Sequence, residues 1–356
     1  MMEITAALVK QLREMTDAGM MECKKALVEV SGDIEKAIEY LREKGLSKAA
    51  KKADRIAAEG AIVLKLDNSL SKACMVEINS ETDFVAKNEN FKEFCAKTID
   101  IISSSNIDNI EDLNNTTIDG MSFLDYLKSQ IAKIGENIVV RRFCSVDSGT
   151  NTITNGYLHS NGKVGTIISL SFNNAESKLK LIELSKNICM HAAAMKPQII
   201  SYEEFSDDFI NKEKNALIAE IEKENEELKR LGKTLKTIPK YISKKELNSQ
   251  VLSKKEEQFK ENLKAQKKPE SIWDRILPGL LERFVADNTL LDQRLTLLGQ
   301  FFVMDDKKTI AQILDEKSKE LNDKITITRY ERYELGEGIE KKEEDFAKEV
   351  ASQLNQ

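Results

Sequence analysis

The sequence predicts an α+β protein: a helical unit, then two small antiparallel-sheet units, the second of them interrupted by a helical insertion. Three observations carry this. Residues 1 to about 55 show the 3.6-residue apolar period of helices, without strand-like alternation. From about residue 60 a pattern of strand, turn, strand, helix and closing strand occurs twice, and the closing strands match by residue type. Ile138, Val140, Arg142 and Phe143 correspond to Ile325, Ile327, Arg329 and Tyr330. Within the second copy, residues 201 to about 300 return to helical periodicity. A chain of 356 residues has ample core for two or three domains.

Taken in order, Thr5 caps the first helix, whose apolar positions are Leu8, Val9, Leu12 and Met15. Gly19 ends it. A second helix over 20–30 turns Cys23, Ala26, Leu27 and Val30 inward. Gly32 stops that one, and Asp33 caps a third with Ile34, Ala37, Ile38 and Leu41 inward. Such a three-helix unit with a Gly-Met turn resembles the ubiquitin-associated type of binding domain, a small interaction module. A separate basic helix is expected over 46–58, its charge a solvated face.

The first sheet copy reads as strands over 61–66 and 73–79, helices over about 88–103 and 121–134, and a closing strand over 137–146. The second reads as strands over 152–158 and 163–172, a helix over 175–194, then, after the insertion, a helix over 308–321 and a strand over 324–335. Each copy is expected to be an antiparallel sheet with helices on one face. In the insertion, 216–231 carries Leu217, Ile221, Leu228 and Leu231, and 244–268 carries Leu247, Val251, Phe259 and Leu263. Residues 212–231 hold five basic and six acidic side chains; residues 233–268 hold eleven and four. A neutral-to-acidic arm facing a basic one suits an antiparallel coiled coil. A last helix over 341–354 aligns Phe346, Val350 and Leu354. The expected domains are 1–55, 56–147, 148–200 with 290–335, 201–289 as coiled coil, and 336–356 as a C-terminal helical module.

Composition narrows the function classes. A net charge of −6 argues against nucleic acid as the main partner, although the basic arm keeps a coiled-coil adaptor or RNA-associated protein as the competing reading. No run reaches membrane-spanning length, and no signal or transit peptide is visible ahead of the first helix. The cysteines Cys23, Cys74, Cys95, Cys144 and Cys189 are widely spaced in apolar patterns, as reduced core thiols of a cytoplasmic protein are. Phosphate-loop, nucleophile-elbow, zinc-protease and dinucleotide motifs are absent. His191, in Cys189-Met190-His191-Ala192, sits in an apolar helix and reads as core. His159, at the turn before Ser160-Asn161-Gly162-Lys163, reads as a polar contact to a partner. No catalytic group, metal or cofactor is expected.

One segment stands apart. In Ser80-Glu81-Thr82-Asp83-Phe84-Val85-Ala86-Lys87-Asn88, a carboxylate and a large aromatic follow a strand, outside the stripe of Phe91, Phe94, Cys95, Ile99 and Ile102 on the next helix. A Phe at such a connection is a candidate anchor for a partner.

Together these motifs resemble the elongation factor Ts family, the guanine-nucleotide exchange factors of the bacterial translation GTPase elongation factor Tu. Met20-Met21-Glu22-Cys23-Lys24-Lys25-Ala26-Leu27 and Thr82-Asp83-Phe84-Val85 are similar to its two signatures. Ile134-Gly135-Glu136-Asn137-Ile138, Met190-His191-Ala192-Ala193 and Gly336-Glu337-Gly338-Ile339-Glu340-Lys341 are similar to family blocks. The resemblance implies that Arg13, Met20 and Met21 touch the nucleotide domain of the GTPase. Thr82, Asp83, Phe84 and Val85 would form the element inserted near its Mg²⁺, His159 would contribute from the second sheet unit, and Phe346 would brace the nucleotide domain. It leaves a homodimer or a 2:2 assembly with the GTPase open. The chain departs from the family in its longer insertion and in Gln300-Phe301-Phe302-Val303, where a Phe stands at a typical Pro position.

Overall fold

The structure, a computed structural model, describes residues 4–340 apart from 17 and 106. Helices and antiparallel sheets build an α+β protein. The helix expected over 341–354, with Phe346, lies outside the described residues. Two compact units are formed. Among the described residues, one comprises those up to Gly149, Thr154–Ile167 and those from Glu331 to Glu340; the other comprises Thr150–Ile153 and Ile168–Tyr330.

The first unit opens with α1 (Ala6–Thr16), α2 (Met20–Glu29) and α3 (Ile34–Ala50). Val9, Leu12, Cys23, Ala26, Leu27 and Ala37 close a small core between them. The expected caps form: Thr5 Oγ1 accepts from Leu8 N at 3.2 Å and Asp33 Oδ1 from Lys36 N at 3.1 Å. Next come β1 (Glu59–Leu66) and β2 (Lys72–Ser80), a single helical turn α4 (Asp83–Ala86), α5 (Glu89–Ser104), α6 (Ile110–Asn115), the short ladder of β3 (Thr117–Ile118) with β4 (Met121–Ser122), α7 (Phe123–Ile134) and β5 (Ile138–Asp147). Strand β2 lies between β1 and β5 and is buried along nearly its whole length, its apolar run Ala73–Val76 followed by the buried polar Glu77, Asn79 and Ser80 around Ile78. Its Val76 and Ile78 pack with Phe91, Phe94 and Ile102 of α5 and Phe123 of α7. Its other face joins Ala73 and Met75 to Ile62, Val146, Ile167 and Tyr333.

Helix α3 differs from expectation. It runs unbroken through Gly45, and no separate basic helix follows. Glycine in a helix interior costs about 1 kcal/mol. Here α3 lies along α7, with Ala132 Cβ 3.4 Å from where a side chain on Gly45 would begin, and Arg42 reaches Asp125 at 2.9 Å. That tertiary seam outweighs the local penalty.

The chain continues through β6 (Thr152–Leu158), β7 (Val164–Ser171) and α8 (Ser177–Met195). Within the first unit, Gly165 permits close packing: a Cβ there would stand 2.6 Å from Met75 Sδ and 2.9 Å from Ile62 Cγ2. The insertion supplies α9 (Asp207–Arg230), α10 (Ser249–Ala265) and α11 (Trp273–Asp287), and then α12 (Leu290–Leu295) leads to the β8 (Phe301–Phe302) and β9 (Asp305–Thr309) hairpin, α13 (Ile310–Leu321) and β10 (Thr326–Glu334). The sheet order β10-β7-β6 mirrors β1-β2-β5: the second strand of each hairpin is central, and the closing strand pairs with it.

The coiled coil expected between 216–231 and 244–268 is corrected. Residues 244–246 are a 3-10 turn, and α10 packs chiefly on α11, with Phe259 and Phe284 edge to face at 6.5 Å and Lys255 over both rings. Helix α9 instead buries Leu217 and Ile221 with Phe205, Ile242 and Leu291. Aromatic and aliphatic anchors, rather than the charge imbalance, select the partners. Among the described residues, no helix is long and apolar enough to cross a membrane.

Candidate functional site

Three strand ends meet at one end of the first sheet. Ser80, the last residue of β2, pairs with both Glu59 of β1 and Ile138 of β5. The chain leaves β2 through Glu81 and enters α4, whose N-cap is Thr82. Within this turn adjacent residues have opposite fates. Val85 is buried at 8% exposure and belongs to the core with Phe91 and Phe94, whereas Phe84 is 79% exposed. The expectation that Val85 is a contact residue is therefore corrected: it is the anchor that holds the turn to the body. The half-exposed Asp83 accepts a hydrogen bond from Lys87 Nζ at 2.9 Å. That bond, aided by the nearby Lys163 cation, holds its carboxyl below the usual range. Lys87 Nζ also lies 6.0 Å from the Phe84 ring centroid.

Two carboxylates cross between the strand exits. Glu136 Oε2 accepts from Thr82 N at 2.9 Å and Oε1 from Thr82 Oγ1 at 2.7 Å. In return, Glu81 Oε1 accepts from Asn137 N at 2.6 Å. The Asn137 side chain donates to Ala53 O at 3.3 Å and Arg55 O at 2.8 Å, so the segment leaving α3 joins the same junction. Gly135 makes the approach possible by ending α7 at φ 94°, a left-handed conformation that glycine adopts without strain. In the sequence Glu136 lies within Ile134-Gly135-Glu136-Asn137-Ile138, and no local pattern marks its contact with Thr82.

The hairpin joining β6 to β7 reaches the same end. His159 O accepts from Gly162 N at 2.8 Å, Ile62 N of β1 donates to Gly162 O at 2.8 Å, and Lys163 Nζ pairs with Glu59 Oε2 at 3.1 Å. Glu59 and Lys163 thus connect the His159 turn to the Asp83 turn. His159 is exposed, its Nδ1 3.0 Å from the Tyr157 hydroxyl. On the helical arm Arg13 is exposed, and Met20 and Met21 are 53% and 65% exposed, while Cys23, Ala26 and Leu27 fill the core. Both methionines face outward.

The remaining polar candidate is structural. His191, fully buried in the second unit, accepts from Val303 N at Nδ1 (3.3 Å), so Nε2–H donates to Gln300 Oε1 at 3.1 Å. Burial depresses its pKa, and the imidazole stays neutral. The expectation of a core histidine agrees with this. The cysteines are free thiols, with Cys23, Cys74, Cys95 and Cys189 buried and Cys144 half-buried; burial pushes Cys95 up to about 12.

The first unit carries an outward Phe on the Asp83 turn, an outward histidine turn and, on its helical arm, an outward Met-Met helix start. A family model described as elongation factor TS matches residues 81–236 and 235–337. The chain belongs to the elongation factor Ts family. An elongation factor Ts of Wolinella succinogenes is 64% identical over 354 residues, covering 99% of this chain and 100% of that protein. The Helicobacter hepaticus protein of the same name is 63% identical over 354 residues, and that of Helicobacter pylori (strain Shi470) 60% over 351, each covering at least 99% of both chains. Membership makes the chain a translation elongation factor. Of the described residues that the resemblance singles out, Arg13, Met20, Met21, Phe84 and His159 are exposed, Thr82 and Asp83 are half-exposed, and Val85 is buried.

Proposed function

We infer that this chain is a guanine-nucleotide exchange factor for the GTPase elongation factor Tu, acting by binding without covalent chemistry in the cytoplasm. The observation that carries the reading is Phe84, 79% exposed on a turn whose neighbour Val85 is locked in the core. An aromatic held out on a rigid mount is built to be covered by something else. Burying it against a partner is worth roughly 1.5–3 kcal/mol.

GTPases hold nucleotide through backbone amides around the phosphates and through a Mg²⁺ of nearly octahedral geometry. A wedge that shifts those surroundings weakens the nucleotide. In this reading Phe84 is the wedge, and Asp83 holds the displaced segment through amides or a cation. His159 supports the same edge, Thr82 caps the turn, and Arg13, Met20 and Met21 grip the nucleotide domain. Phe346 is proposed to brace it. The division of labour follows the sequence domains: 1–55 grips and 56–147 exchanges. Residues 148–200 with 290–335, 201–289 and 336–356 extend the contact.

The test is GDP release from elongation factor Tu loaded with a fluorescent GDP and chased with excess nucleotide. Substoichiometric amounts of the chain should accelerate release at least a hundredfold, about 2.7 kcal/mol of barrier. Release at the spontaneous rate, with a folded chain, overturns the reading.

A further inference from the structure

We propose that Glu136 is the positioning residue of the Asp83–Phe84 turn, setting the direction in which Phe84 points. This rests on the exchange reading for its consequence, but the positioning itself belongs to the isolated chain. Helix α4 has four residues. A single turn has paid the nucleation cost of a helix without the propagation that repays it, and it does not hold by itself. Val85 anchors one side of it in the core. Something else must fix rotation about that anchor, or Phe84 would sweep freely.

Thr82 supplies that restraint only in one hydroxyl orientation. Its Oγ1 caps α4 by accepting from Val85 N at 3.4 Å, which needs a lone pair aimed at the amide. A hydroxyl has one hydrogen, and a carboxylate only accepts. Glu136 Oε1, 2.7 Å away, takes that hydrogen and so turns the lone pairs toward the helix. Its other oxygen takes Thr82 N–H at 2.9 Å, so both donors of one residue end on one carboxylate. The geometry over-determines Thr82. The Thr82 carbonyl is held as well, accepting from Ser80 Oγ at 3.0 Å.

The rest of the junction supports Glu136 in turn. Gly135 reverses the chain immediately before it, and Asn137 immediately after it is fixed by Glu81 and by the two carbonyls of residues 53 and 55. Among the described residues Glu136 has no cationic partner, in contrast to Glu81, which meets Arg55 Nη1 at 3.5 Å. A carboxylate kept for stability at a surface would be expected to pair with a cation; this one is spent on two neutral donors of the turn that carries Phe84.

The experiment compares Glu136→Ala, Glu136→Gln and Phe84→Ala, singly and combined. In the isolated chain, amide hydrogen exchange at Thr82 and Val85 should speed up about tenfold in Glu136→Ala, the scale of a lost helix cap, while exchange in β2 and α5 stays unchanged. Maximal GDP release at saturating factor should fall about tenfold, with the half-saturating concentration within twofold of wild type. Glu136→Gln should recover only part of the rate, since its single carbonyl oxygen replaces one of the two acceptors that Thr82 N and Thr82 Oγ1 use. In the Phe84→Ala background, Glu136→Ala should slow release no further. Unchanged exchange at Val85 in Glu136→Ala overturns the proposal, and so does an equal rate loss with and without Phe84. If the wild-type chain fails to accelerate release at all, the exchange reading falls, and the hydrogen-exchange arm alone decides on Glu136.

Discussion

Glu77, fully buried in the central strand β2, lies 2.6 Å from Arg142 Nε of β5. A β-bulge creates this relationship. The register pairs Glu77 with Arg142 and Ile78 with Val140, leaving Arg141 as the extra residue, and Arg141 Nη1 reaches the same carboxylate at 3.0 Å. Gly336 N donates to it at 2.8 Å, and the two guanidinium groups continue to the carbonyls of Glu334 and Glu337. One buried charge therefore pins the segment after β10 to the first sheet.

Glu77→Ala should destabilise the chain by about 3–5 kcal/mol, because it leaves two guanidinium groups without their shared carboxylate. Urea unfolding followed by circular dichroism measures this. Glu77→Leu should be no better, since the arginines remain.

The same group makes stability depend on pH. Burial opposes its ionisation, but the Gly336 amide and both arginines overcome that and hold its pKa below the usual value. With a depressed folded pKa, its contribution is complete above the unfolded glutamate value of about 4.3 and is lost as pH falls below that. Wild type should lose stability over that acid range, and Glu77→Gln should show a shallower slope there.

Phe84→Ala should leave thermal unfolding within about 0.5 kcal/mol of wild type, as exposed positions do. It should nevertheless shrink the ratio of the factor's dissociation constants for elongation factor Tu with and without GDP. Linkage makes that ratio equal to the factor's effect on GDP. Titration calorimetry in both nucleotide states measures it. An unchanged ratio assigns the wedge to another residue.

Met20→Ala and Met21→Ala should weaken complex formation while leaving GDP release at saturating factor nearly intact. Both side chains are solvent-facing, so neither substitution should change folding. A collapsed maximal rate at unchanged affinity would contradict this division.

Replacing Ser249–Asp287, the paired α10 and α11, by a short Gly-Ser linker should leave GDP release within about tenfold, or 1.4 kcal/mol, of wild type. Removing 212–268 instead should damage folding, because it takes Leu217, Ile221 and Ile242 out of the cluster around Phe205 and Leu291.

What was legible in the sequence follows the range of the physics. The α5 stripe, the caps at Thr5 and Asp33 and the two hairpins rest on neighbours a few residues apart, and all were readable. Continuity through Gly45 was not, because the compensation comes from α7, over 80 residues away. The pairing of α10 with α11 was missed because Phe259 and Phe284 announce themselves in no shared period. At the site, the outward Phe84 was legible from its place beside the helix stripe. The burial of Val85 and the grip of Glu136 on Thr82 were not, since each depends on strand ends brought together only by the sheet.

The contrast between Phe84 and Val85 has a consequence for genetics. A library scored by protein abundance should find position 84 permissive and position 85 intolerant, because the cell's quality control senses only unfolding. The same library scored by growth should find both intolerant. The gap between the two scores at consecutive codons would separate, within one helical turn, what selection keeps for the partner from what it keeps for the fold.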